Sequence, residues 1–321
     1  MSEYAVGVDL GGTNLRVAAF AAEGRILDRL SAPTRIEAGR EALMQAISGG
    51  VHRIIERRSG DRLLAVGIGV PGFILIEKGI VTKSPNLPGL ENFAMREDLE
   101  RRLGCPVILE NDANAAALGE KWRGAGRGVD DLVLLTLGTG IGGGILSRGR
   151  VLHGYLGMAG ELGHITVEPR DGAPCGCGSQ GCLEAHASAT AIVRLAEQEI
   201  RAGRLPALAG QSAPITSEMV YQAAAGGDAA ARSVFERMGR ALGLGLAILI
   251  NTFNFPLYLL SGGVLPAWDL FAPAMFEEAR RRSLTLRQTD TRIAKAELGE
   301  DAGLFGAAYP ALTGAKELSR P

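Results

Sequence analysis

The residues best able to do chemistry crowd between Gly157 and Glu184, where GMAGELGHITVEPRDGAPCGCGSQGCLE holds three of the chain's four cysteines. His164, Cys175, Cys177 and Cys182 follow a His-x10-Cys-x-Cys-x4-Cys spacing. Three thiolates and one imidazole complete a tetrahedral zinc shell and leave no position for water, so the set predicts a structural Zn2+, not a catalytic one. Gly176, Gly178 and Gly181 let the short loop fold back until its thiols face one ion. The plainer alternative is a disulfide beside a core histidine. In an intracellular chain thiols stay reduced, and clustered cysteines there more often bind metal.

Two carboxylates travel with that loop. Glu161 lies three residues before His164, and Glu184 two residues after Cys182, so metal ligation would pin both. The second ring nitrogen of His164 stays available to a hydrogen-bond partner. A rigid array of carboxylate and imidazole acceptors suits a polyhydroxylated substrate, whereas either glutamate alone reads more simply as a solvated surface charge.

Phosphate chemistry is suggested twice. In DLGGTN, from Asp9 to Asn14, the N–H groups of Gly11, Gly12 and Thr13 could cradle phosphate, with the Thr13 hydroxyl beside them and Asp9 as a carboxylate for Mg2+. An ordinary Gly-Gly hairpin needs no such ligand. The pattern recurs at Leu132 to Ile145, where an apolar strand runs into GTGIGGG and out again, with Gly138, Thr139 and Gly140 at the turn. Both stretches read strand, glycine hairpin, strand, so the chain looks like two diverged copies of one unit. Gly67, Gly69 and Gly72, like Gly138, Gly140 and Gly143, match GxGxxG, but no helix opens after either, which removes a dinucleotide site.

Further polar residues sit at predicted strand ends. The strand Val107–Leu109 runs into Asn111, Asp112 and an alanine-rich helix. An Asp there reads first as an N-cap. A dipole-stabilised carboxylate is a weak base, yet phosphoryl transfer asks mainly that the attacking hydroxyl be aimed and its proton accepted late. Asn86, in the loop Pro85–Gly89, reads as an Asx-turn residue or a hydroxyl reader. Ser261, Gly262 and Gly263 close a buried strand where a ligand can lie against the backbone.

The elements that must position these groups are α/β in pattern. Tyr4–Leu10, Leu15–Phe20 and Arg25–Leu30 form a meander, followed by an amphipathic helix over Glu37–Arg58. Asn92 is the expected N-cap of a helix with Met95, Leu99 and Leu103 on one face. A helix capped by Ser188, another over Thr216–Ala225 and a long one capped by Asp228 follow the metal loop, and small-residue helix Asp301–Thr313 ends the pattern. With 321 residues, two domains are expected, with an edge near Gly124–Gly128. A net charge of -1 recommends neither nucleic acid nor an anionic membrane as partner. The opening MSEYAVGVDLGG has no basic leader, which predicts a cytoplasmic chain. The most apolar run, Ala241–Ile250, is too short to span a bilayer and reads as buried helix.

DLGGTN, GVPG, ENDANAAALGE, LGTGIGGG, GELGH, CGCGSQGCLE and LSGG, in that order along one chain, resemble the ROK family of repressors, uncharacterised reading frames and sugar kinases. The likeness is greatest to its bacterial glucokinases and runs from about Gly7 to Gly306. It implies a two-domain actin-like and hexokinase-like (ribonuclease H-like) fold with an interdomain cleft, in a homodimer. The division expected is a small α/β domain over 1–120, joined by the C-terminal helix at about 301–321, and a larger one over 121–300 with the zinc loop. By the same resemblance Asp112 is the catalytic base for the sugar's 6-hydroxyl, while Asn86, Asn111, Glu161, His164 and Glu184 contact the sugar. The turns Asp9–Thr13 and Gly138–Gly142 hold ATP phosphates with Mg2+, and Gly262 and Gly263 lie near the adenosine. Every quoted motif agrees with the kinase pattern.

A sugar-sensing repressor of the family would need a DNA-binding helix-turn-helix before the first strand, which begins by Tyr4. An ATPase of the same fold would not need the zinc-held carboxylates. Among kinases, glucose is favoured on overall resemblance over N-acetylglucosamine, N-acetylmannosamine, allose and fructose.

Overall fold

Residues 2–34, 36–84, 87–210 and 213–318 are described in the structure, a computed structural model. The meander forms as β1 (Glu3–Leu10), β2 (Asn14–Ala21) and β3 (Ile26–Pro33), followed by helix α1 (Gly39–Arg57) and strand β4 (Arg62–Val70). A hairpin of β5 (Phe73–Leu75) and β6 (Ile80–Lys83) leads to α2 (Met95–Leu103), β7 (Val107–Asn111) and α3 (Asp112–Arg123). Asn92 is not the cap of α2. Ala94 holds that place, because the Val81–Phe93 bridge keeps the chain against β6 and Asn92 turns there with φ of 52°.

The first sheet has the order β3-β2-β1-β4-β7, with β4 parallel to both β1 and β7. Strand periodicity sends alternate residues to opposite faces. Tyr4, Val6 and Val8 meet Leu43, Ile47, Val51 and Ile54 of α1 on one face. Ala5, Ala18 and Ala65 point the other way, against the C-terminal helix α9 (Ala302–Leu318).

The chain continues as β8 (Leu132–Leu137), β9 (Ile141–Ser147) and β10 (Arg150–Val151), then the metal-ligand loop. Helices α4 (Leu183–Ala187), α5 (Ala189–Arg201), α6 (Ser217–Ala225) and α7 (Ala229–Phe253) follow, with Ser188 and Asp228 capping α5 and α7 as expected and Thr216, just outside its helix, capping α6. Strand β11 (Leu257–Ser261), helix α8 (Trp268–Arg282), strand β12 (Arg292–Lys295) and α9 (Ala302–Leu318) complete the order. The second sheet runs β10-β9-β8-β11-β12. Counted within each copy, both sheets read 3-2-1-4-5, the repeat the two glycine hairpins suggested.

Two compact units emerge. The first comprises Met1–Leu132, Gly144–Gly160 and Ala296–Pro321; the second comprises Val133–Gly143 and Glu161–Lys295. Within the first, α9 lies so close that a Cβ added at Gly67 would collide with the Ala307 carbonyl, and one at Gly306 with the Ala115 carbonyl. Within the second, α7 is the central helix, and its run Ala241–Ile250 is largely buried. No helix among the described residues is long and apolar enough to cross a membrane.

Candidate active site

In the first unit, Asp9, Gly69 and Glu110 lie level across β1, β4 and β7, at the carboxyl ends of parallel strands. Ligands in α/β sheets gather at such edges. The turn after Asp9 closes through Gly11 N–H to the Asn14 carbonyl at 2.9 Å, while Thr34 binds the carbonyls of Gly11 and Thr13. Among the described residues, the N–H groups of Gly12 and Thr13 meet no protein acceptor. They are the donors an anion would find.

Asp9 is held by a residue that sequence motifs did not single out. Arg16 Nη2 reaches Asp9 Oδ2 at 2.8 Å and Arg16 Nη1 reaches Glu300 Oε2 at 3.0 Å. Burial pushes the Asp9 carboxyl above its ordinary range, and Arg16 pulls against that. Only the antiparallel register, Asp9 opposite Arg16, brings the two together.

At the end of β7 the N-cap of α3 is Asn111. Its Oδ1 accepts from Ala113 N–H at 2.9 Å and Asn114 N–H at 3.2 Å, and its Nδ2 donates to the Gly72 carbonyl at 3.2 Å. Asp112 is thereby relieved of capping and becomes the first helical residue, half-buried, with Oδ1 accepting from Ala113 N–H at 2.9 Å. Glu110 beneath it is buried and accepts from Asn111 N–H at 2.9 Å, Asn114 Nδ2 at 3.1 Å and His153 Nε2 at 2.8 Å. That bond raises the His153 pKa against the opposing effect of burial. Asn86 lies outside the described residues.

In the second unit the turn Gly138–Gly140 repeats the first in plan. The Gly138 and Thr139 carbonyls accept from Ala189 N–H at 2.9 Å and Thr190 Oγ1 at 2.7 Å, which ties the turn to the start of α5. Gly142 N–H donates to Thr136 Oγ1 at 3.1 Å and Ile141 N–H to Glu184 Oε2 at 2.8 Å. Among the described residues, the N–H groups of Thr139 and Gly140 meet no protein acceptor. Gly262 packs on the Leu137 carbonyl with φ of 102°, a conformation open to glycine. Beside it Gly263, Val264 and Pro266 line a small pocket with Ile192, Ser217, Glu218, Tyr221 and Phe235. The α6 members of this pocket carry no motif, and the sequence points only to a helix over Thr216–Ala225.

The metal-ligand loop brings its four candidates together. All ligand atoms of His164, Cys175, Cys177 and Cys182 lie within 4.8 Å of one another. Cys177 Sγ is 3.8 Å from Cys182 Sγ, and Cys175 Sγ is 3.6 Å from His164 Nδ1. Bonds of about 2.3 Å to sulfur and 2.0–2.1 Å to nitrogen put tetrahedral edges at about 3.8 and 3.6 Å, so the spacing suits zinc. The other histidine nitrogen, Nε2, stands 3.8 Å from Glu161 Oε2. Burial raises the Glu161 carboxyl pKa, the His164 ring opposes that, and the Glu184 charge adds to it.

The whole span matches one family, ROK, over residues 5–313. The chain belongs to the ROK family. Among ROK relatives, a glucokinase of Halalkalibacterium halodurans is 38% identical over 95% of this chain and 93% of its own length. A solved ROK hexokinase of Thermus thermophilus superposes with a TM-score of 0.85 at 38% identity, covering 98% of this chain and 99% of that one. A ROK family glucokinase of Streptomyces griseus, solved in complex with glucose and AMPPNP, gives 0.79 at 37% identity over 95% of this chain and 98% of that one. The ROK chain described here shares their two-domain sugar kinase fold.

Proposed function

We propose that this chain is an ATP-dependent glucokinase that phosphorylates the 6-hydroxyl of glucose. The observation that carries the reading is the likeness, along nearly the whole chain, to the Streptomyces griseus enzyme solved with glucose and AMPPNP. Asp112 is the base. Capped by Asn111 and set at the first position of α3, it aims its carboxylate without having to close the helix itself. Because the transition state is loose, Asp112 mainly orients the attacking hydroxyl and takes its proton late. Glu161, His164 and Glu184 accept the other sugar hydroxyls. Asn111 contributes chiefly by placing Asp112, since its amide is engaged by the helix and Gly72.

The N–H pairs of Gly12–Thr13 and Thr139–Gly140 grip phosphate oxygens, and the pocket beside Gly263 receives the adenine. Asp9 is the residue to hold Mg2+, because the oxygen not bonded to Arg16 belongs to a carboxylate that a dication would draw back to its ionised form. Mg2+ supplies neutralisation of phosphate charge. His164, Cys175, Cys177 and Cys182 hold Zn2+ as a brace; burial pushes the Cys175 thiol up to about 12, and a bound dication would restore the thiolate. The reading includes a cytoplasmic homodimer acting on a small sugar without nucleic acid.

ADP release with Mg-ATP, measured on glucose, N-acetylglucosamine, N-acetylmannosamine, allose, fructose and no sugar, tests it. Strong turnover on glucose alone is the expected result. Preference for an N-acetylated sugar would move the substrate within the same mechanism, and sugar-independent hydrolysis would overturn the kinase reading.

A further inference from the structure

Glu184 touches more of the second unit than a sugar ligand requires. It stands in the first turn of α4, two residues after Cys182. Its Oε2 accepts from Ile141 N–H at 2.8 Å, and a Cβ added to Gly140 would collide with the same oxygen. Its Oε1 lies 3.6 Å from Cys175 Sγ. One planar group with two acceptor oxygens therefore runs from the cysteine cluster to the glycine turn.

The turn depends on that contact. The Gly138 and Thr139 carbonyls rest on the start of α5, and Gly142 is held by Thr136. Between these anchors the Ile141 N–H is fixed by a charged acceptor, the stronger kind of hydrogen bond. Holding it fixes the peptide plane next to the N–H groups of Thr139 and Gly140, the donors left for a ligand.

We infer that Glu184 is a positioning residue for the nucleotide as well as a sugar contact. By clamping Ile141 it pre-organises the phosphate donors of the turn, and sugar and nucleotide sites are coupled through one carboxylate. Coupling of this kind is reciprocal, so a sugar hydroxyl on Oε1 also tightens nucleotide binding. The inference rests on the sugar-kinase reading.

The test is calorimetric titration of Mg-AMPPNP into sugar-free protein, with metal content and Tm recorded for each variant. A residue that served the sugar alone would leave this affinity untouched. Glu184→Ala should bind roughly tenfold more weakly. Glu184→Gln keeps a carbonyl oxygen for Ile141 N–H and should stay within about twofold of the parent, while its KM for glucose rises. Gly140→Ala, which pushes the carboxylate off the turn without removing it, gives a second route to the same loss if Glu184→Ala folds poorly. Parental affinity in both Glu184→Ala and Gly140→Ala, or equal loss in Glu184→Gln, would overturn the positioning role. Failure of the parent protein to bind AMPPNP at all would instead sink the kinase reading.

Discussion

The two glycine turns stand at the same point of two sheets with the same strand order, and among the described residues each leaves two N–H donors facing no protein acceptor, yet they are supported by different physics. In the first unit the support is packing and buried hydrogen bonds. Strand β1 lies between α1 and α9, the helix α9 packs closely on the Gly67 backbone and, through its own Gly306, on that of Ala115, and Glu110 gathers three donors under Asp112. In the second unit the residues around Glu161 and His164 form one short 3-10 turn within an irregular loop, where Cys177 is exposed. Buried Leu162, Val167 and Leu183 anchor its ends, and backbone bonds such as Leu183 N–H to the Ile165 carbonyl tie it together. The clustered His/Cys ligand atoms and the Glu184 bond to Ile141 N–H add to that support, which teaches that one duplicated frame can brace its two glycine turns by different contacts.

The largest effect should separate the two units by kinetic parameter. Asp112→Ala should lower kcat by about 10³-fold or more, with a smaller rise in KM for glucose, because the lost interaction belongs to the transition state. Glu161→Gln should do the reverse, raising KM more than it lowers kcat. Steady-state rates of ADP release on both variants check the split, and near-parental turnover in Asp112→Ala would remove the base assignment.

Next in size is the ligand cluster. Cys177→Ser should release the metal and cost at least roughly tenfold in kcat/KM through Glu161 and Glu184, since groups supporting a metal loop carry effects of that order. Metal analysis with sugar titration measures it. Full activity in protein proven free of metal would end the brace argument. The counterpart in the first unit is Gly306→Ala. Its Cβ would press into the Ala115 backbone, which cannot swing aside, so about 3 kcal/mol of destabilisation is expected from overpacking. Thermal melts should show that added zinc rescues neither this loss nor its Tm.

Much of this contrast is legible in the sequence, because the periods are strong and the caps are specific. Ser188, Thr216 and Asp228 marked the starts of α5, α6 and α7, and the Cys/His spacing gathered into one cluster. What escaped depends on register and on contacts far apart in sequence. Arg16 meets Asp9 only through antiparallel pairing, and His153 meets Glu110 across 43 positions. Asn92 is not a cap because the bridge of its neighbour Phe93 to Val81 outcompetes its local preference. At β7 the capping residue is Asn111, one place before the Asp that composition favours, and that single shift makes Asp112 the first residue of the helix.

The smallest effect concerns pH and again divides the units. His153, in the first, has its pKa raised above 6.5 by the hydrogen bond to Glu110. Its stabilisation is complete below 6.5 and is lost as pH rises through the higher folded value. His186, in the second, has its pKa lowered from 6.5 by burial and then by Arg194. Between its folded value and 6.5 the unfolded chain binds more protons, so stability climbs with pH across that window. The two windows lie on opposite sides of 6.5, which makes them separable in one series of melts. His153→Gln should flatten the fall above 6.5 and leave the acid limb alone, whereas His186→Asn should flatten the rise below 6.5. If His153→Gln altered the acid limb instead, the Glu110 pair would not be what holds the proton, and the hydrogen-bonded brace under Asp112 would have to be reassigned to Asn114 and the Asn111 backbone alone.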